Sequence, residues 1–320
     1  MLSESDFKAK QIIFITPKNG EKLLFRNDNV IIVDQDGVVV HQSTCYRLFA
    51  IFVVGHITIT SGLIQRAKKF GFSIVLMTVN FKPYRTISAF AQANVLLRRR
   101  QYNYRNINSA QRLIWNKINN QKKLLMSVRN RSDAQNESIM LLENYRDKIY
   151  SCKDIYEIMG VEGNASRVYF KNYFNNIMWI SRKPRIKFDM INSLMDIGYT
   201  ILFSFIDAMV GVYGFDSYVG ILHRQFYMRK SLICDLVEPF RVIIDNCIRK
   251  GINLNQFKAD DFEIISDKWQ LKYSESSKYS AIFVKALMEY KNDIYLYIRS
   301  VYRCFMKGSM DNNFPQWEYY

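Results

Sequence analysis

Apolar and polar positions change their spacing twice along this chain, and the changes divide it. Residues 11 to 87 read mostly as strand. Gln11–Thr16 and Lys22–Phe25 flank Asn19-Gly20, and Asn29–Val33 and Val38–Val40 flank Asp36-Gly37. Asn-Gly and Asp-Gly accept the positive φ of tight turns, so two successive hairpins are predicted. Leu48–Val54, His56–Thr60 and Ser73–Met77 add strands. Between them Leu63, Ile64, Ala67 and Phe70 fall at helical spacing, with Thr60 or Ser61 as cap and Gly71 as stop. From Ser88 onward the period is helical. Ala91, Val95, Arg99 and Tyr102 share one face, as do Ile107, Ala110, Ile114 and Ile118. Lys153–Met159 reads as a short helix stopping at Gly160. A new helix starts near Glu162 and runs through Tyr169, Tyr173 and Ile177, which puts Glu162 at a helix N-terminus. Asp189 opens an apolar helix through Tyr199 and Phe203, Val242–Ile248 continues as helix, and Asn253–Trp269 is mixed. Ser280–Phe305 is one long final helix, and Asn312–Tyr320 is a loose tail. No internal repeat occurs. The fold class is α+β: a small β-rich domain with one short helix (1–87), then a larger all-helical domain (88–320).

Composition narrows the setting. The 320 residues are 49% hydrophobic and 23% charged, ordinary for a globular protein. The formal charge of +16 favours a polyanionic partner, nucleic acid or an acidic membrane surface. Five scattered cysteines, with no CxxC spacing, fit the reducing cytoplasm and argue against a disulfide framework or zinc knuckle. The acidic start is no signal peptide, and the apolar stretch Tyr199–Tyr213, interrupted by Asp207, reads as a buried helix, not a membrane span.

Candidate chemistry gathers in two stretches. Residues 220–241 place His223 ahead of Asp235 and Glu238, two acids that share a helix face at a spacing of three. Glu162 sits between two glycines, Gly160 and Gly163. A histidine and carboxylates that converge can hold a divalent metal; taken singly, the histidine is as well explained by a structural role and the acids by a solvated face. Ser231 reads as a helix cap rather than a nucleophile. His41 and His56 read as strand or surface residues. Arg98–Arg100, Arg105, Arg112, Lys117, Lys122, Lys123, Arg129 and Arg131, interleaved with Tyr102, Tyr104 and Trp115, suit DNA phosphates and bases, or a solvated helix face. Arg167, Arg185 in the basic loop Ser181–Lys187, Arg229, Lys230 and Arg241 are further DNA-contact candidates. Arg241 could instead pair with Asp235 or Glu238.

The blocks Gly160–Tyr169 and Leu222–Arg241, with Asp189–Asn192 and Gly198-Tyr199 between them, resemble the signature of CRISPR-associated protein one, the spacer-acquisition integrase. The resemblance implies that Glu162, His223 and Glu238 are ligands of magnesium or manganese, and that Asp235 supports the site or shares the metal. It implies insertion of short DNA duplexes into a CRISPR array by 3′-hydroxyl attack on a backbone phosphate. It implies a homodimer joined through the β-rich domains, and two such dimers flanking a dimer of CRISPR-associated protein two. Departures are Met190, Met228, Asn164 and Ser166, which stand where the family has other, mostly smaller residues. Two alternatives remain at this point: a metal-dependent nuclease that cuts branched DNA without integration, and a non-catalytic DNA-binding scaffold.

Overall fold

The β-branched and aromatic runs of residues 11–87 pair into two four-stranded sheets. The computed structural model describes residues 3–18, 20–88, 94–104, 106–174, 179, 181–184, 186–223, 225–308 and 314–320. After helix α1 (Glu4–Lys8) come β1 (Gln11–Ile15), β2 (Lys22–Arg26), β3 (Asn29–Val33), β4 (Val39–Thr44), β5 (Leu48–Val54) and β6 (Thr58–Ile59). Helix α2 (Ser61–Phe70) leads to β7 (Ser73–Met77) and β8 (Pro83–Ile87). One sheet has the order β1-β5-β7-β8, the other β4-β3-β2-β6. Helix α2 has the expected ends: Thr60 caps the Leu63 N–H, and Gly71 takes the left-handed conformation.

The hairpin expected across Asn19-Gly20 does not form. Strand β1 pairs in parallel with β5, and β2 pairs with β3 in the other sheet. Both faces of β1 are apolar: Ile12 and Phe14 join one core, Ile13 and Ile15 the other. Such a strand suits a sheet covered on both sides. The tight turn falls instead at Asn27 and Asp28, with φ of 48° and 55°, which these residue types tolerate. The second predicted hairpin, β3 with β4 around Asp36-Gly37, is present.

The remainder is mostly helical: α3 (Val95–Asn103), α4 (Asn108–Met126), α5 (Asp133–Lys148), α6 (Ile155–Tyr173), α7 (Met190–Tyr213), α8 (Ser231–Leu236) and α9 (Arg241–Asn253). The hairpin β9 (Phe262–Ile265) and β10 (Lys268–Leu271) follows, then α10 (Ser276–Glu289) and α11 (Lys291–Lys307). Helix α7, capped by Asp189, packs against α8, α9, α10 and α11. It is long and apolar enough to cross a bilayer, but 61% of its apolar stretch is buried inside the protein, as expected of a core helix. Gly198 lets its neighbours close in: a Cβ there would lie 2.5 Å from Ile244 Cγ2 and 2.9 Å from Phe283 Cε1.

Four expectations are corrected. Helix α6 runs unbroken through Gly160 and Gly163, capped by Asp154, so Glu162 lies two turns inside it and not at its N-terminus. Buried Ile158, Val161, Ala165, Tyr169 and Tyr173 hold that face down and outweigh the glycines' weak helix propensity. The long final helix is two, divided at Tyr290. The mixed segment after Asn253 contains the β9–β10 hairpin, turned at Ser266 and Asp267. The tail is anchored, with Phe314, Trp317 and Tyr319 buried. Asn19, Ala91, Ile177 and Asn312 lie outside the described residues.

Candidate active site

Three stretches distant in sequence meet on one ammonium group. Helix α4 carries Lys117, α6 carries Glu162, and a 3-10 turn begun by Glu238-Pro239 carries Glu238. Lys117 Nζ lies 2.5 Å from Glu162 Oε1 and 2.7 Å from Glu238 Oε2. Arg241, three residues beyond Glu238, grips it with two parallel bonds: Nε donates to Oε2 and Nη2 to Oε1, each at 2.9 Å. Ser166, one turn beyond Glu162, donates its hydroxyl to Oε1 at 2.8 Å. Burial by itself would raise the pKa of both acids. For Glu238 the Arg241 guanidinium and the Lys117 ammonium outweigh it and bring the value down to about 2. For Glu162, Lys117 outweighs burial and the neighbouring Glu238, and the pKa is lowered. Burial also opposes the charge on Lys117, yet the two carboxylates raise its pKa. The cluster is therefore ionised throughout, and none of its acids is a proton donor at neutral pH.

His223 belongs to a second cluster. Its Nδ1 lies 2.6 Å from Oδ1 of Asp235, which is fully buried on α8. Asp235 also accepts the backbone N–H groups of Ile221, Leu222 and His223, at 2.5, 3.0 and 3.1 Å. The carboxylate thus fixes both the loop and the ring. Gly220 makes room for it, since a Cβ there would sit 2.7 Å from Asp235 Oδ2. With Nδ1 engaged by a carboxylate, Nε2 is the ring nitrogen left to accept.

The walls around Glu162 and Glu238 enclose a cavity of about 1250 Å³. Asp245 lines it and accepts hydroxyl bonds from Tyr169, at 3.0 Å, and from Tyr199. Burial pushes the Asp245 pKa up to about 6, against those two bonds. The Arg241 guanidinium lies 4.6 Å from the centre of the Tyr199 ring, a cation–π contact. Lys82, Arg167, Lys171, Arg182 and Lys187 also line the cavity, which leaves it rich in cations. Arg182 is held by Asp196 at 2.8 Å. Among the described residues, no three His, Cys, Asp or Glu side chains gather closely enough to hold a metal ion.

Residues 16–285 match the family described as CRISPR associated protein Cas1. The chain belongs to the Cas1 family. A relative from Thermodesulfovibrio yellowstonii, named CRISPR-associated endonuclease Cas1 1, is 28% identical over 225 residues, 66% of this chain and 71% of that one. One from Rhodospirillum rubrum, named CRISPR-associated endonuclease Cas1 2, is 26% identical over 291 residues, 85% and 84% of the two chains. The Cas1 structure from Thermotoga maritima superposes with a TM-score of 0.79 at 17% identity, covering 96% of this chain and 100% of that one. A casposase bound to integration product superposes at 0.78 and 19% identity, covering 96% and 94%. A chain of a Cas6-RT-Cas1--Cas2 complex superposes at 0.82 and 20% identity; it covers 98% of this chain, which spans 36% of that longer one. At these identities the structural likeness establishes the Cas1 fold, α+β with a strand-rich start.

In this Cas1 chain the structure brings Glu162 and Glu238 together around Lys117, and pairs His223 with Asp235. Arg241 is an ion-pair partner of Glu238. Lys230 pairs with Asp207 at 2.6 Å. Arg167 is exposed on the cavity wall, Arg229 is half-buried, and Arg185 lies outside the described residues. Ser231 is the first residue of α8, and Lys230 takes the N-cap position. Several half-buried cations of the α3–α4 region bond backbone carbonyls: Arg98 bonds Gly214, Arg100 bonds Phe305 and Arg112 bonds Phe314. Sequence reasoning missed the roles of Lys117, Asp245 and Tyr199. The signal for Lys117 is its neighbourhood: Asn116, Asn119, Asn120 and Gln121 make a polar stripe on α4 that the fold buries, and buried polar stripes mark sites.

Proposed function

We propose that this chain is a divalent-metal-dependent DNA endonuclease and integrase of CRISPR adaptation. It inserts short duplexes into a repeat array by 3′-hydroxyl attack on a backbone phosphate. One observation carries the reading: two carboxylates 76 residues apart, Glu162 and Glu238, turn oxygens to a single cation in the wall of a cavity rich in lysine and arginine. The names of the relatives, and of the casposase with its integration product, point the same way.

The donor set suits a hard divalent ion, Mg2+ or Mn2+. Glu162 and Glu238 offer ionised oxygens, and His223 keeps Nε2 free because Asp235 holds Nδ1. We assign Glu162, His223 and Glu238 as its ligands, for which Lys117 gives way to the ion and the His223 loop draws in toward the two carboxylates, and Asp235 as the residue that orients the imidazole. A bound ion of this kind lowers the pKa of an attacking hydroxyl and neutralises charge on the phosphoryl oxygens. The chain's own residues do the rest. Arg241 keeps Glu238 ionised, Ser166 steadies Glu162, and Arg167 and Lys171 offer charges for flanking phosphates. Residues 1–87 serve dimerisation and 88–320 catalysis and DNA binding. Two homodimers flank a Cas2 dimer in the cytoplasm, a partnership suggested by the related complex that names both proteins.

The test is strand transfer. A labelled duplex with 3′-hydroxyl ends and a plasmid carrying a repeat are mixed with the chain, with and without Cas2, in Mn2+, Mg2+ or chelator. Metal-dependent joining is expected, abolished by Glu238→Gln and lowered about 10- to 100-fold by Asp235→Asn with DNA binding retained. Nicking without joining would identify a nuclease. DNA binding with neither product would leave a scaffold.

A further inference from the structure

Helix α4 buries a row of side-chain amides, and the fold accounts for all but one of those near the charge cluster. Asn116 and Asn120 accept the backbone N–H groups of Trp317 and Tyr319, and Asn119 accepts a bond from Arg146 at 3.2 Å. Gln121 is as deeply buried, at 3% exposure, yet its Oε1 has no hydrogen-bond partner among the described residues. A buried acceptor without a donor costs stability, so a fold keeps one where something outside the chain supplies the donor. Gln121 lines the cavity that holds Glu162 and Glu238. It stands four residues beyond Lys117, so the two share one face of α4 with Cβ atoms about 5–6 Å apart. Chemistry narrows the donor. Cations crowd the same wall, Arg167, Lys171 and Arg241 among them. In their field the oxygen end of an amide is favoured over its NH2 end. The cations suit a phosphodiester, which carries acceptors only; an amide oxygen does not. The DNA backbone has O–H donors only at strand ends, and the attacking group of the reaction proposed above is such an end, a 3′-hydroxyl.

We propose that Gln121 is a substrate-binding residue whose side-chain oxygen accepts the O–H of a DNA 3′ end and holds the attacking hydroxyl in the cavity wall beside Glu162 and Glu238. An O–H turned toward Gln121 leaves the lone pairs of the hydroxyl oxygen free for attack. Gln121 takes no proton itself; it orients the group that loses one. The inference rests on the DNA reading above and adds to it a means of telling a reactive end from the body of the duplex.

The test is end-specific binding at fixed salt in chelator, where no metal ion contributes. Two short hairpin duplexes of one sequence each have a single 3′ end, a 3′-hydroxyl in one and a 3′-deoxy end in the other. The wild-type chain should bind the hydroxyl end about 2- to 10-fold more tightly, the worth of one neutral hydrogen bond. Gln121→Met keeps a similar length without the acceptor, so the preference should vanish while affinity for the 3′-deoxy end holds. Gln121→Glu keeps an acceptor and should keep the preference, although its charge weakens binding to both ends. Equal binding of the two ends by wild type overturns the inference without any variant. So does a preference that survives in Gln121→Met, or one lost in both variants alike, which would make the amide a packing element. Equal binding by wild type together with a lower Mn2+ affinity in Gln121→Met would assign the oxygen to a water on the ion instead. If the wild-type chain binds neither DNA, the DNA reading fails and this inference with it; if it binds both equally, only the role of Gln121 fails.

Discussion

A lysine ammonium held between two carboxylates, as Lys117 is between Glu162 and Glu238, neutralises them and competes with any other cation for their oxygens. Removing one partner of a buried ion cluster commonly costs ~3–5 kcal/mol, because charge is left uncompensated in a poorly solvated place. The cost here falls at or below the low end, since Glu162 is partly exposed and Arg241 still grips Glu238. Lys117→Met should therefore melt earlier than wild type in chelator, and Mn2+ should raise its melting temperature more than it raises that of wild type. Equal metal responses would show that Lys117 does not stand where the ion binds. Sequence left Arg241 open between a DNA contact and an ion pair. The structure shows the pair, two parallel bonds from Arg241 to Glu238 across a 3-10 turn.

At the level of elements, α4 is coupled to the C-terminal segment by side chains that imitate a strand. Asn116 donates to the Trp317 carbonyl at 2.6 Å and accepts its N–H at 2.9 Å. Asn120 donates to the carbonyls of Trp317 and Pro239, at 2.9 and 3.0 Å, and accepts the Tyr319 N–H at 3.0 Å. Pro239 follows Glu238, and Lys117 lies between the two asparagines, so this latch braces two members of the charge cluster. Asn120→Leu removes the partner of the Pro239 carbonyl and of the Tyr319 N–H, while Asn116 still bonds the Trp317 carbonyl; the cost is about 1–3 kcal/mol for each group left unpaired. It should shift urea unfolding to lower concentration and speed amide exchange at Trp317 and Tyr319. Unchanged protection there would refute the latch. Helix α6 teaches a related lesson. Two glycines, each worth about 1 kcal/mol against helix relative to alanine, suggest a break, but five buried side chains on one face keep it whole.

Over the whole molecule, two buried acids give stability opposite dependences on pH. Glu238 has its pKa lowered from 4.5 to about 2, so its contribution is present above about pH 4.5 and is lost as pH falls toward 2. Asp245 has its pKa raised from 3.8 to about 6, so the folded chain holds that proton more tightly than the unfolded one. Its contribution is complete below about pH 3.8 and is lost as pH rises through 6, a swing of roughly 3 kcal/mol. Asp245→Asn cannot titrate. The stability of wild type minus that of Asp245→Asn should fall between pH 4 and pH 7, read from urea midpoints at each pH. A flat difference would mean that Asp245 titrates normally. The same scale explains the core. Strand β5 is buried along its whole length: Phe49, Phe52 and Val54 pack with the helices, Ile51 and Val53 between the two sheets. One hydrophobic core thus runs from the strand-rich region into the helices that carry the site.

Rules acting over a few residues were legible in the sequence. They include the Thr60 and Gly71 ends of α2, the Asp189 cap of α7, the runs that become β5 and β7, and the change from strand to helix. Two acids of the site were legible too, through the blocks around Glu162 and Glu238. Tertiary structure alone decided the partner of β1, the continuity of α6, the break at Tyr290, the anchored tail, and the meeting of residues 117, 162 and 238 on one charge. The physical reason is range. Caps, turns and periodicity are settled by neighbours along the chain, whereas which strand pairs, which helix face is covered and which lysine is buried with which carboxylate depend on surfaces that meet only once the chain has folded.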